Sequence, residues 1–146
     1  MLALTLIQPW ATLKVLDEKY YETRSWETKF RGKLAIHAGA KIDFEACEIP
    51  EIKAALARHG YTDPKTLPTS AILSTCVVFD CVQMVGSAFS GRTIVPGYKL
   101  STKEEAFGDY RPGRYAWILA DNKRLKKPVP AKGKLKLWEW KEDDRN

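Results

Sequence analysis

Cysteine and histidine are scarce in this chain, and that scarcity narrows its chemistry. Three cysteines do not make a disulfide framework, and no CxxC is present. Cys76 and Cys81 fall in one strand-like run, five residues apart. That spacing predicts opposite faces and no bond between them. Each thiol reads as a packed side chain. The two histidines, His37 and His59, lack metal-ligand spacing, so no structural zinc site is expected. Ser-His-Asp and Cys-His sets are missing, as is a glycine-rich phosphate loop. Neither a cofactor nor an oligomeric state is indicated. No apolar run reaches membrane-spanning length. Met1 to Ile7 is apolar, but it is short and lacks the basic n-region of a signal peptide. The expectation is a cytoplasmic protein with no membrane partner.

What is present points to one folded unit. A chain of 146 residues that is 45% hydrophobic and carries five tryptophans can bury a core of its own. A single domain over 1–146 is expected, with 141–146 as a frayed charged tail. The formal net charge of +6 suits a polyanionic partner without demanding one. Lys123, Arg124, Lys126, Lys127, Lys132, Lys134 and Lys136 form the densest basic stretch. It reads either as a solvated hairpin with lysines guarding an edge or as a phosphate-backbone contact.

Hydrophobic periodicity organises the rest. Leu2 to Ile7 reads as a buried strand, and Pro9 fits the first turn of a helix. Trp10, Leu13 and Leu16 face inward on that helix, with Lys14 and Asp17 toward water. Tyr20 to Trp26 is strand-like, placing Tyr20, Glu22, Arg24 and Trp26 on one face. Lys33 to Ala38 is a strand with Leu34 and Ile36 toward the core and His37 opposite. Asp43 caps a short helix. Pro50 opens another, with Ile52, Ala55, Leu56 and His59 at helical spacing and Gly60 as its stop. Ala71 to Val85 is too long for a flat strand and too β-branched for a helix, so it reads as a bent barrel strand. Ser101 and Glu104 stand in capping-box spacing for one helical turn. Strands follow at Arg114 to Leu119 and at Lys134 to Trp140. The expected class is α+β: a small, mostly antiparallel β-barrel with short helices covering its ends.

Acid, guanidinium and indole crowd the N-terminal third. Glu22 and Arg24 are two residues apart and can pair across one strand face. Trp10 and Trp26 offer stacking walls, and a carboxylate such as Glu22 can accept from an exocyclic amine of a base. Arg24 can clamp a phosphate or a carbonyl. His37 offers a proton or a phosphate contact, although a lone histidine at a strand end is more often structural. Lys19, Glu22 and Glu104 are the candidate catalytic set. Lysine chemistry requires a neutral amine, and a carboxylate beside Lys19 opposes that.

Four blocks carry a family resemblance. They are Gln8-Pro9-Trp10-Ala11, Lys19-x-x-Glu22-x-Arg24, Ala35-Ile36-His37-Ala38, and Phe107-Gly108-Asp109-Tyr110 with Pro112-Gly113-Arg114-Tyr115-Ala116-Trp117. Together, in that order, they resemble the ASCH family over nearly the whole chain. The resemblance implies a PUA-like β-barrel, and an RNA, nucleotide or nucleoside partner. Some members are RNA-binding or coactivator-associated domains. Others are small enzymes: an amidohydrolase of acylated cytidine and a ribonuclease. The amidohydrolase branch is thought to use a Lys-x-x-Thr pair with a distant Glu. Lys19 matches the lysine, Glu22 stands at the threonine position, and Glu104, or less closely Glu105, matches the acid. Gln8, Trp10, Arg24, Trp26, His37, Tyr110 and Arg114 are the candidate ligand contacts, with Glu104 and the Asp109 to Arg114 segment as the far wall of a cleft. Asp17-Glu18 stands where many members carry a glycine. Three functions follow as expectations: a binder of RNA or a modified nucleotide, a small hydrolase or ribonuclease, or a protein-interaction domain with a vestigial cleft.

Overall fold

Eight strands and three short helices are found in the computed structural model, which describes residues 1–141. In chain order they are β1 (Leu2–Gln8), α1 (Trp10–Val15), β2 (Tyr21–Arg24), β3 (Gly32–Ile42), α2 (Pro50–Arg58), β4 (Ala71–Gln83), β5 (Val85–Gly86), β6 (Thr93–Ile94), α3 (Thr102–Ala106), β7 (Tyr115–Pro130) and β8 (Leu137–Glu139). Beyond Lys141, the tail expected to fray lies outside the described residues. No helix among the described residues is long and apolar enough to cross a membrane.

Alternation along four strands builds the main core. Leu4 and Leu6 of β1, Leu34 and Ile36 of β3, Leu73, Cys76 and Val78 of β4, and Trp117 and Leu119 of β7 meet in one buried cluster. The intervening residues Ala3, Ala35 and Ile72 pack with Trp138 and Trp140 in a second cluster. The opposed phases of the two clusters are the period-two signature of a sheet buried on both faces. Six strands pair in the order β2-β7-β4-β3-β1-β8. β1 and β3 run parallel, and every other neighbouring pair in this sheet is antiparallel. The architecture is therefore mixed α+β. The hydrogen-bond ladder itself is open: β2 and β8 each keep a free edge. β8 pairs only with Leu2 to Leu4, so β1 has no neighbouring strand on that side from Thr5 onward.

The helices cover one end. Leu13 of α1, Ile52, Ala55 and Leu56 of α2, and Phe107 after α3 form a third cluster with Cys47 and Leu67. Asp43 accepts from Ala46 N at 3.0 Å just ahead of a single 3-10 turn, Ala46–Glu48, whose N-cap position is Glu45 and not Asp43. Glu18, in the loop after α1, ties these helices together. It receives Arg58 at 2.8 Å, His59 Nε2 at 2.8 Å and Lys103 Nζ at 2.8 Å. Hydrogen bonding from Arg58, reinforced by Lys103 and His59, holds the Glu18 carboxyl far below the usual carboxylate range. His59 thus hydrogen-bonds a carboxylate at the helix end instead of packing on the apolar face.

Three expectations are corrected. Lys14 is buried, not solvated, because α1 is packed against β1, β3, β4 and β7 as well as α2. Its Nζ reaches Tyr20 O at 3.4 Å, and burial lowers its pKa. Cys76 and Cys81 share one core face, not two. The β4–β7 register shifts between Val78 and Asp80, which reverses the alternation there. β7 runs on to Pro130, far beyond Leu119, because it pairs with β4 along nearly its whole length. Asp17 takes the left-handed conformation (φ 59°). Asn122 Nδ2 donates to its Oδ1 at 3.2 Å and to Val15 O at 2.9 Å, so the turn is held by side chains.

Gly133 marks a close approach. A Cβ there would lie 2.7 Å from His37 Cε1 and 2.8 Å from Thr5 Oγ1. Both atoms belong to hydrogen-bonded, packed side chains that cannot yield cheaply. Gly133→Ala is expected to destabilise the fold by about 1–3 kcal/mol, the usual range for overpacking. An unchanged urea midpoint would show that this segment moves freely.

Candidate binding cleft

A cleft of about 760 Å³ opens where the ladder stops. Thr5, Leu6 and Ile7 of β1 line one side, and Glu22, Thr23 and Arg24 of β2 another. Lys19, Trp10, Ile49, Ala106, Gly108, Asp109, Arg111 and Arg114 complete the lining. Four of these side chains are cationic and two anionic. Its own side chains leave the cleft open.

Arg24 spans the gap. Its Nε donates to Glu22 Oε2 at 2.7 Å and its Nη2 to Thr5 O at 2.9 Å. The pairing anticipated from the two-residue spacing is realised, and it also satisfies a carbonyl on the unpaired edge of β1. Glu22 Oε1 accepts no hydrogen bond from the described residues. On the far wall, Arg114 Nε donates to Asp109 O at 3.1 Å and its Nη2 to Thr23 O at 3.4 Å. Arg111 Nε donates to Asp109 Oδ1 at 2.8 Å, and this contact lowers the Asp109 pKa below its ordinary value.

Lys19, in the lining, meets Glu104, which lies behind this surface and not in the far wall where it is expected. Both are 2% exposed, with Nζ 3.7 Å from Oε2. Ser101 caps α3 by accepting from Glu104 N at 3.0 Å. The Glu104 carboxylate does not complete the capping box. It turns to β2, accepting from Tyr20 N at 2.8 Å and Tyr21 N at 3.3 Å, and from the Tyr110 hydroxyl. Lys19 donates to Tyr21 O. Burial, then the Glu104 charge, drives the Tyr110 pKa far up, so the phenol stays a donor. Glu104 and Tyr110 therefore anchor the start of β2 from behind the cleft. Gly108 marks a close approach above them: a Cβ there would sit 3.1 Å from Tyr110 Cε2 and 3.5 Å from both Lys19 Cε and Thr23 Oγ1.

Other candidate ligand contacts lie elsewhere. Gln8 is fully buried and caps α1: Oε1 accepts from Thr12 N at 3.0 Å, and Nε2 donates to Thr12 Oγ1 and Pro68 O, each at 2.7 Å. Trp26 follows β2 and packs edge-to-face on Trp117 with centroids 5.0 Å apart. Lys136 Nζ stands 5.6 Å from its ring centroid. β2 ends at Arg24, so the alternation meant to keep Trp26 beside Glu22 does not reach it. His37 lies across the sheet, beside Trp138. Its hydrogen bonds fix one tautomer. Ala131 O can only accept, so Nε2 donates to it at 2.7 Å. Nδ1 then accepts from Thr5 Oγ1 at 3.0 Å, which in turn accepts from Trp138 Nε1 at 3.0 Å.

No family model matches the chain, and no curated protein matches it. The site must be judged on its own chemistry. Among the described residues, no group of His, Cys, Asp and Glu side chains gathers to hold a metal ion. The cleft offers a guanidinium already paired to a carboxylate, one free carboxylate oxygen, an indole and further arginines. Chemically, such a set can accept a polar, planar, anionic ligand. Residue patterns did not pick out Thr23, Ile49 or the β1 edge from Thr5 to Ile7. Ile7 and Thr5 read as strand residues in a buried run, and no side-chain signal marks an open edge.

Burial lowers the His37 pKa below 6.5. The folded state thus prefers the neutral ring, and the unfolded chain takes up the proton first as pH falls. His37 contributes its full stability above about pH 6.5 and loses it as pH drops from there through its lower folded-state value. The melting temperature should fall between pH 7 and 5, about 6.5 being the onset, and His37→Gln should flatten that part of the profile. Parallel profiles for the two proteins would remove this assignment.

Proposed function

We propose that the chain is an ASCH-type domain of PUA-like fold that binds RNA or a nucleotide in the cleft between β1 and β2. On this reading the six-stranded sheet is a barrel whose seam stays open there, between β1 and the edge strand β2. The observation that carries the reading is the Arg24–Glu22 pair, with Oε1 of Glu22 left without a partner among the described residues, in a cleft of cationic excess that Trp10 and Lys19 also line. The indole offers a base a stacking face, the free oxygen accepts an amine proton, and Arg111 and Arg114 take backbone phosphate. The family blocks Gln8-Pro9-Trp10-Ala11 and Phe107-Gly108-Asp109-Tyr110 support it too, since they border or anchor this cleft.

Titration with labelled short RNA and with nucleoside monophosphates tests the reading. Trp10→Ala should weaken binding by about tenfold or more, given roughly 1–3 kcal/mol per stacked base. Arg24→Ala should weaken it at least as much, and binding should fall as salt rises. Unchanged affinity in both variants sinks the proposal.

A second reading, a nucleoside hydrolase or ribonuclease, is favoured by one observation. Lys19, Glu22 and Thr23 border one cleft, with Glu104 3.7 Å from Lys19. Against it, Glu104 already accepts three hydrogen bonds, and Lys19 donates to a carbonyl. Incubation with acylated cytidine and with short RNA, with and without divalent metal, should give turnover that Lys19→Ala abolishes. No turnover in wild type retires the enzymatic reading.

A further inference from the structure

β1 turns its odd-numbered residues toward the β8 side. Met1 donates to Trp140 O at 2.9 Å and accepts from Trp140 N at 2.8 Å, and Ala3 lies opposite Trp138. Thr5 O points the same way and is taken by Arg24. The even-numbered residues face the β3 side: Gln8 O accepts from Asp43 N, just past β3, at 2.7 Å. The β1–β3 register shifts between Leu6 and Gln8, yet Leu6 O lies toward Gly39 and Gln8 O toward Asp43, both on the β3 side, so the main-chain N–H and C=O of Ile7 between them are aimed along the same free edge as Thr5. β8 has ended by then, and Ile7 lines the cleft. One residue thus offers a donor and an acceptor, side by side, to whatever enters.

We propose that Ile7 reads the Watson–Crick edge of a single unpaired nucleobase through its main chain. The N–H donates to a ring nitrogen or carbonyl of the base, and the C=O accepts from the adjacent N–H. Every nucleobase carries a donor next to an acceptor on that edge. The contact deepens the nucleotide-binding reading and rests on it. An extended peptide, the other natural occupant of a strand edge, fits worse. Arg24 already caps Thr5 O, and Gln8 turns to the other side before α1 begins, so only one residue of edge is open. Strand pairing needs several. A base needs one, and it meets Glu22 Oε1 and the Trp10 indole in the same cleft. A base inside a duplex has this edge occupied, so the partner is a single strand or a free nucleotide.

The test uses the full chain labelled with nitrogen-15 and titrated with the ribonucleoside monophosphates. The tightest of them is then compared with its counterpart methylated on the ring nitrogen of the Watson–Crick edge. Trp10 Nε1 and Arg24 Nε resonances report binding, and hydrogen exchange at the Ile7 amide reports the contact. The expected result is slowed exchange at Ile7 with the parent nucleotide, and affinity about tenfold lower or worse for the methylated one. Shifts at Trp10 and Arg24 with Ile7 exchange unchanged, or equal affinity for both nucleotides, overturn the edge contact and leave the cleft reading standing. No shift at any of these resonances overturns both.

Discussion

Arg24 is the side chain on which the shape of the cleft depends. The ladder joins β2 to β7 and β1 to β3, and leaves the two strands that border the cleft without a direct hydrogen-bonded link. A single guanidinium makes that link, donating to Glu22 on its own strand and to the Thr5 carbonyl on β1. A planar fork suits this task better than an ammonium, because two donors in fixed geometry meet two acceptors on different strands. The gap therefore stays open while its width at this point is held.

Behind the gap, charge has been moved out of water. Lys14, Lys19 and Glu104 are all nearly inaccessible. Burying ions costs several kcal/mol each unless paired and hydrogen-bonded. Glu104 meets that condition with two backbone N–H groups and a phenol, and Lys19 with a carbonyl and the nearby carboxylate. These bonds run from α3 and the Tyr110 segment to the first residues of β2. They place a short, four-residue edge strand that its own pairing with β7 would hold only weakly.

Much of this could be seen in the residues beforehand. The strand of Leu34 and Ile36, the Pro50 helix, the long apolar run of β4 and the Ser101 cap all announce themselves by period or by capping chemistry. The Glu22–Arg24 pair is legible too, whereas Glu104, expected in the far wall, lies behind the cleft. What escaped was set by register and by tertiary cover. A β4 shift turned Cys81 to the same side as Cys76. Packing on several sides buried Lys14. β2 ended before Trp26, sending that indole to Trp117. Gln8 and His37 are polar and stand in conspicuous blocks, yet both spend their hydrogen bonds internally. Residue type alone cannot distinguish a cap from a contact.

The Glu18 junction bears on how ionic strength acts on this molecule. Arg58, His59 and Lys103 reach Glu18 from partly exposed positions, where mobile ions screen their attraction. Glu18 directly precedes Lys19, and Lys103 directly precedes Glu104, so loosening this junction loosens the support of the cleft floor. On the proposed nucleotide-binding reading, added salt would then act twice, once on arginines facing the anionic ligand and once on the scaffold beneath them. The slope of affinity against salt concentration would exceed the number of phosphates the cleft neutralises. Counting phosphate contacts from that slope requires a Glu18 variant measured alongside.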